Sequence, residues 1–300
     1  MSEAALPKST PSSATPAPPG GRITRRFGEL ADVGELGLVA YITAGDPSLE
    51  ASEQIVLAAA EAGADVIELG VPFSDPVADG PTIQRASERA LRSGTTLAGV
   101  IELVRRLRVN TDVPLMLFSY FNPILQMGLA QFAEASAAAG ADGVLVTDLI
   151  PEEAAEYRTV MRTRSLGTIF LAAPTSTDER LEKIAACSSG FLYLISRTGV
   201  TGAREALPED LPGLAKRARR FTQLPLAVGF GISQPAHVSI LGGIADAAVV
   251  GSALVSEIEK ASTPGAAATA VAERVRILKR AAREGISRRT VQPSPPASKR

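Results

Sequence analysis

The sequence holds one cysteine (Cys187) and one histidine (His237). So few exclude a disulfide framework, and with it any zinc or iron site built from two or more histidine or cysteine ligands. Lysine is scarce as well. Only Lys8, Lys183, Lys216, Lys260, Lys279 and Lys299 are present, and none closes an apolar strand-like run where a Schiff-base lysine would be kept dry. Lysine-linked aldolase and pyridoxal phosphate chemistry are therefore disfavoured for this chain. No run approaches the roughly eighteen apolar residues that span a bilayer. An excess of charge is missing too: 31 Lys and Arg against 32 Asp and Glu give a net charge of −1. That balance disfavours a dedicated nucleic-acid or anionic-membrane surface.

What is present is 300 residues with 45% of positions apolar, enough for a sizeable core. The first twenty residues carry five prolines among Ser, Thr and Ala. Such a segment buries too little to offset its ordering entropy, so 1–21 is expected to be a disordered tail. It lacks the apolar block of a secretory signal, and the expected location is cytoplasmic. From Ile286 the chain repeats the theme with Pro293, Pro295 and Pro296 among basic residues, so 286–300 is expected to be a second disordered tail. Residues 22–285 remain for one catalytic domain.

That region alternates short apolar, β-branched runs with Ala-rich helical ones. Strands are predicted at 38–43, 65–69, 114–119, 142–147, 167–171, 189–195, 225–229 and 247–250, and helices at 48–62, 96–108, 130–139, 152–163 and 178–186, among others. Strands this apolar, without a clean period of two, imply burial on both faces, as in a parallel sheet. Two helix–strand joints read Ala-Gly-Ala-Asp (62–65 and 139–142), where glycine can stop a helix in the left-handed conformation. Eight β/α units in this length predict a (β/α)8 TIM barrel, which typically takes about 250 residues. The rival open doubly wound sheet lacks its GxGxxG turn after the first strand. In a barrel the active site lies at the carboxyl ends of the strands.

Glu68 sits inside the apolar strand Val-Ile-Glu-Leu-Gly, sharing one face with Val66 and Gly70, while Ile67 and Leu69 share the other. A carboxyl group so placed is costly to ionise and is suited to proton transfer near neutrality; the alternatives are an exposed strand end or an arginine partner. The next loop, Pro72 to Pro81, carries Asp75 and Asp79 among three prolines and a glycine. Asp79 would share the barrel rim with Glu68; otherwise Asp75 makes a local turn bond and Asp79 caps the helix beginning near Thr82. The sixth strand leads into Ser196-Arg-Thr-Gly-Val-Thr-Gly202, either a hydrogen-bonding lid or an ordinary connection. The seventh and eighth end in Gly229-Phe-Gly-Ile-Ser233 and Gly251-Ser252, each ahead of a helix. Helix amino termini offer free N–H groups to an anion, and a phosphate site after these two strands recurs in this fold. His237 and Cys187 read as packing residues.

Together these segments resemble the tryptophan synthase alpha-chain family. The resemblance runs from about Phe27 to Val255, with helical sequence to about Arg283. It rests on Tyr41-Ile-Thr-Ala-Gly-Asp-Pro47, on Glu68 through Gln84, and on Ser196–Gly202, Gly229–Ser233 and Gly251-Ser-Ala253. It implies a carbon–carbon lyase that cleaves indole-3-glycerol phosphate to indole and glyceraldehyde 3-phosphate in tryptophan biosynthesis. By the same resemblance Glu68 is the general acid–base and Asp79 the carboxylate that meets the indole N–H. Gly202, Phe230, Gly231, Gly251 and Ser252 match the phosphate pocket, Thr201 the lid, and Tyr41, Tyr120 and Tyr193 the indole pocket. Asp75 and Pro76 match a loop against the beta subunit, in an alpha-beta-beta-alpha tetramer through which indole is passed. No metal and no cofactor are implied here, pyridoxal phosphate belonging to the beta subunit. The chain departs from many members at Ala40, where they have proline, and at Leu149-Ile150, where they have Leu-Pro. A stand-alone lyase releasing indole, and a non-catalytic phosphate-binding subunit that activates a partner, are the alternative readings.

Overall fold

The computed structural model describes residues 21–196, 210–229 and 231–287. Nine parallel strands run in the spatial order β5-β4-β3-β2-β1-β9-β8-β7-β6. They are β1 (Gly37–Thr43), β2 (Val66–Gly70), β3 (Leu115–Ser119), β4 (Gly143–Val146), β5 (Gly167–Ile169), β6 (Leu171–Ala172), β7 (Leu192–Ile195), β8 (Leu226–Gly229) and β9 (Ala247–Val250). β5 pairs with β4 and β6 with β7, and only Phe170 separates the two. They are one strand with a break, so the sheet closes into a barrel of eight staves, each where the sequence predicted one. β7, β8 and β9 are the sixth, seventh and eighth staves.

Alternation along each strand sorts the core into two layers. Val39, Tyr41, Val66, Met116, Phe118, Leu145, Ile169, Tyr193, Ala227, Ala247 and Val249 fill the barrel. Their neighbours Leu38, Ala40, Ile67, Leu69, Leu117, Leu194 and Val228 join the layer between sheet and helices. Burial on both sides is why the strands read as continuous apolar runs.

The helices that matter to the site are α1 (Gly21–Asp32), α2 (Leu49–Glu61), α3 (Pro81–Arg92), α4 (Leu97–Arg108), α5 (Phe121–Met127), α6 (Leu129–Ala139), α7 (Ala155–Thr163), α8 (Asp178–Cys187), α9 (Leu211–Ala218), α10 (Pro235–Leu241), α11 (Ser252–Lys260) and α12 (Pro264–Ser287). Ser48, Thr96 and Thr177 begin α2, α4 and α8, each accepting a backbone N–H three residues on. α1 closes the amino-terminal end of the barrel, where its Ile23, Phe27 and Leu30 join the interior cluster. Gly63 and Gly140 take the positive φ expected of them, +105° and +93°.

The aspartate after each of those glycines has a role that the sequence reading did not assign. Asp65 accepts the backbone N–H of Leu38 (2.6 Å), and Asp142 that of Leu115 (2.9 Å). Each thereby ties the start of one strand to the strand before it. Asp65 also holds Arg26 and Lys279, both at 2.6 Å, and Lys279 reaches Glu35 at 2.6 Å. The buried lysine is thus committed at the amino-terminal end, opposite the mouth. Removing one partner from a buried pair costs about 3 kcal/mol or more. Asp65→Ala should therefore lose about 3 kcal/mol in urea unfolding, and a loss below about 1 kcal/mol would show the tie to be dispensable.

Candidate active site

Glu68 lies at the middle of β2, in register with Tyr41 of β1 and Met116 of β3. Its parity with Val66 turns it into the barrel. It is fully buried, and neither carboxyl oxygen has a hydrogen-bond partner. Burial without a compensating donor disfavours the charge and pushes the carboxyl pKa up to about 8. The arginine partner and the exposed strand end are both ruled out. At neutral pH Glu68 is a carboxylic acid whose proton is not engaged by any neighbour.

Asp79 reaches the same interior from the loop before α3. Its Oδ2 accepts the Tyr120 hydroxyl at 3.1 Å, and that hydroxyl in turn accepts the Ala78 N–H at 2.9 Å. Burial raises the Asp79 carboxyl to about 6, with the Tyr120 bond pulling it back. The helix-cap alternative fails, because the N-cap of α3 is Gly80 and not Asp79. Two carboxyl groups with different surroundings therefore share the barrel, one neutral and one ionised at pH 7.

Aromatic rings line the space around them. Tyr41 is buried, packs edge-on to Phe118 with ring centres 5.2 Å apart, and has its hydroxyl 3.5 Å from that of Thr43. Burial, then the charges of Asp79 and Glu68, hold its phenol well above the ordinary value, and Tyr41 occupies the β1 position paired with Glu68. Burial and the charge of Glu68 do the same to Tyr193. Tyr120 stacks on Phe73 at 5.0 Å. Two glycines make room for these rings. A Cβ on Gly70 would lie 2.1 Å from the Tyr41 hydroxyl, and one on Gly229 would lie 2.1 Å from the Tyr193 hydroxyl. Gly229, read from sequence as a ligand approach or a tight turn, is thus required by its neighbour's ring. Phe118 was missed, although its alternation with Met116 at the end of β3 marks it as inward-facing.

β8 and β9 are neighbours, so their following turns share one sector of the mouth. Gly231 has φ +95°, and Gly251 precedes α11, whose first residue is Ser252. The free N–H groups at the start of α11 suit an anion. Asp75 and Pro76 lie on the rim, where Asp75 accepts the adjacent Ser74 hydroxyl at 2.6 Å. Thr201, Gly202 and Phe230 lie outside the described residues, as does the segment 197–209. His237 is buried, its Nδ1 accepting the Ser233 N–H at 3.4 Å, and Cys187 is buried. Among the described residues, no three His, Cys, Asp or Glu side chains form a group able to hold a metal ion. Among the same residues, no helix is long and apolar enough to cross a membrane.

A family model described as tryptophan synthase alpha chain matches residues 27–283. This chain belongs to that family. The tryptophan synthase alpha chain of Solibacter usitatus is 54% identical over 239 residues, which are 80% of this chain and 90% of the relative. That of Geotalea daltonii is 49% identical over 242 residues, 81% of this chain and 92% of the relative. Among solved structures, Mycobacterium tuberculosis tryptophan synthase superposes with a TM-score of 0.81 at 35% identity, covering 87% of this chain and 98% of that one. Subunit alpha from Legionella pneumophila gives 0.80 at 35% identity, covering 88% and 98%. Tryptophan synthase alpha chains are lyases of tryptophan biosynthesis, and the family implies a beta-chain partner.

Proposed function

We propose that this chain cleaves indole-3-glycerol phosphate to indole and glyceraldehyde 3-phosphate by a retro-aldol reaction in the cytoplasm. The observation that carries the proposal is the pairing of a buried, unbonded, neutral Glu68 with an ionised Asp79. Glu68 donates its proton to indole C3, leaving the ring nitrogen positive, and the Asp79 carboxylate accepts the N–H bond that stabilises this charge. The Glu68 carboxylate then takes the proton of the C3′ hydroxyl. The C3–C3′ bond breaks, its electrons restore the indole ring, the aldehyde forms, and Glu68 is again an acid. Tyr41, Tyr120 and Tyr193 wall the indole, while the amides at Gly231, Gly251 and Ser252, with Phe230 and Gly202, hold the phosphate. Thr201 belongs to the lid.

The chain works without a cofactor or a metal, and pyridoxal phosphate belongs to a beta chain in an alpha-beta-beta-alpha tetramer. Asp75 and Pro76 form part of the contact with it; Val77 beside them is 78% exposed and supports a docking role for the loop.

The test is to mix pure chain with indole-3-glycerol phosphate and follow indole, alone and with a beta chain. Turnover is expected in both, and the dependence of kcat/KM on pH should be bell-shaped. Its rising limb lies near 6, where Asp79 ionises, and its falling limb near 8, where Glu68 loses its proton. No indole in either condition between pH 6 and 9 would end this reading.

A further inference from the structure

A second set of charges, partly exposed except for a buried aspartate, takes no part in the proton transfers. Asp46, in the turn after β1, has a side chain only 1% exposed, and its two oxygens accept Nε and Nη2 of Arg89 on α3, both at 2.8 Å. The remaining nitrogen, Nη1, donates to Glu259 on α11 at 2.9 Å. Glu259 also takes two bonds from Arg85, one turn earlier on α3, at 2.6 and 2.8 Å. At the end of α3, the Ser93 hydroxyl bonds the Gly45 carbonyl at 3.1 Å. α3 is thereby held to the β1 turn on one side and to α11 on the other.

The two joined helices are those that begin at the two ends of the proposed substrate. α3 starts two residues after Asp79, which meets the ring, and α11 starts at Ser252, which meets the phosphate. Arg89 lies eight residues into α3 and Glu259 seven into α11, so the lock sits about 11 Å along each helix from the mouth. Sliding α3 against α11 would break charged, two-point bonds whose planar geometry lysine does not reproduce.

We propose that Arg89 is a positioning residue that sets the spacing between Asp79 and the phosphate cradle at Gly251–Ser252. The proposal rests on the retro-aldol reading above. A ligand that bridges both ends gains from the second contact only when the spacing matches its length, whereas a ligand touching one end is indifferent to it. A misplacement of about 1 Å can cost about 100-fold in rate.

The test compares Arg89→Met and Glu259→Gln with the parent, using full-length chain. Three probes are titrated: indole alone, glyceraldehyde 3-phosphate alone, and an indole bearing a three-carbon phosphate chain without hydroxyls, which bridges both ends and cannot react. In Arg89→Met the bridging probe should weaken about 10-fold or more and kcat/KM fall by about 10- to 100-fold, with both fragments within twofold of the parent. Glu259→Gln keeps the Asp46–Arg89 pair and should show the same pattern more weakly. It carries the test by itself if Arg89→Met fails to fold. Parallel losses for fragments and bridging probe would reduce Arg89 to structural glue, and an unchanged bridging probe would also overturn the proposal. A parent chain that binds the bridging probe yet yields no indole would instead sink the retro-aldol reading and leave the spacing comparison intact.

Discussion

Glu68→Gln should lower kcat/KM for indole formation about 1,000-fold, and Asp79→Asn at least about 100-fold. Positioned proton transfer is worth about 100- to 10,000-fold, and Glu68 is asked to give one proton and take another in the same turnover. The amide can do neither. In Asp79→Asn the new side chain would still accept a bond from Tyr120 but would offer no charge to the developing cation, a loss of the order seen when one oriented electrostatic contact is removed, about 100- to 1,000-fold. Neither change should unfold the protein: Glu68 has no hydrogen bond to lose, and Asp79→Asn keeps the shape of the side chain and its bond to Tyr120. Steady-state rates with circular dichroism on the same samples check both claims. Turnover within about tenfold of the parent, in a folded variant, would remove the named residue from the mechanism.

The same carboxyl should leave its mark on stability. Glu68 titrates near 4.5 in an unfolded chain and near 8 in the folded one, so over that interval the folded state holds a proton that the unfolded state has released. Stability from this group is complete below about pH 4.5 and falls as pH rises to about 8. Three to four pKa units correspond to about 5 kcal/mol. Asp79 acts in the same direction over a narrower span, from 3.8 to about 6. Other groups titrate too, and the Glu68→Gln variant isolates the one of interest. Relative to the parent, the variant should gain about 5 kcal/mol between pH 4.5 and 8, or about 10 °C in Tm. Urea melts of both chains at pH 5, 7 and 9 measure the gap. Parallel curves would mean that Glu68 ionises in the ordinary range and is not a neutral acid at pH 7.

Much of the scaffold was legible because a parallel barrel writes itself into short, doubly buried strands. All eight predicted strands correspond to observed staves. The break at Phe170 was not legible, since Gly167 to Ala172 reads as one apolar run and the interruption arises where one half pairs with β4 and the other with β7. α5 is a seven-residue helix, too short to leave a periodic signal in the sequence. The inward direction of Glu68 followed from alternation with Val66 and the outward Ile67 and Leu69. For Asp79, local sequence left a helix cap at least as open as a site carboxylate; the fold gives the cap position to Gly80 and brings Asp79 a hydrogen bond from Tyr120, 41 residues away.

The residues alone determined the order of the elements, the facing of each strand residue, and the presence of two acids near one end of the barrel. They did so because alternation and turn chemistry are local. Tertiary structure decided how those acids behave. Only a closed ring of strands, plugged at its amino end by α1, withholds every donor from Glu68 while bringing a distant phenol to Asp79. Desolvation belongs to the whole enclosure, and no short segment of chain carries it.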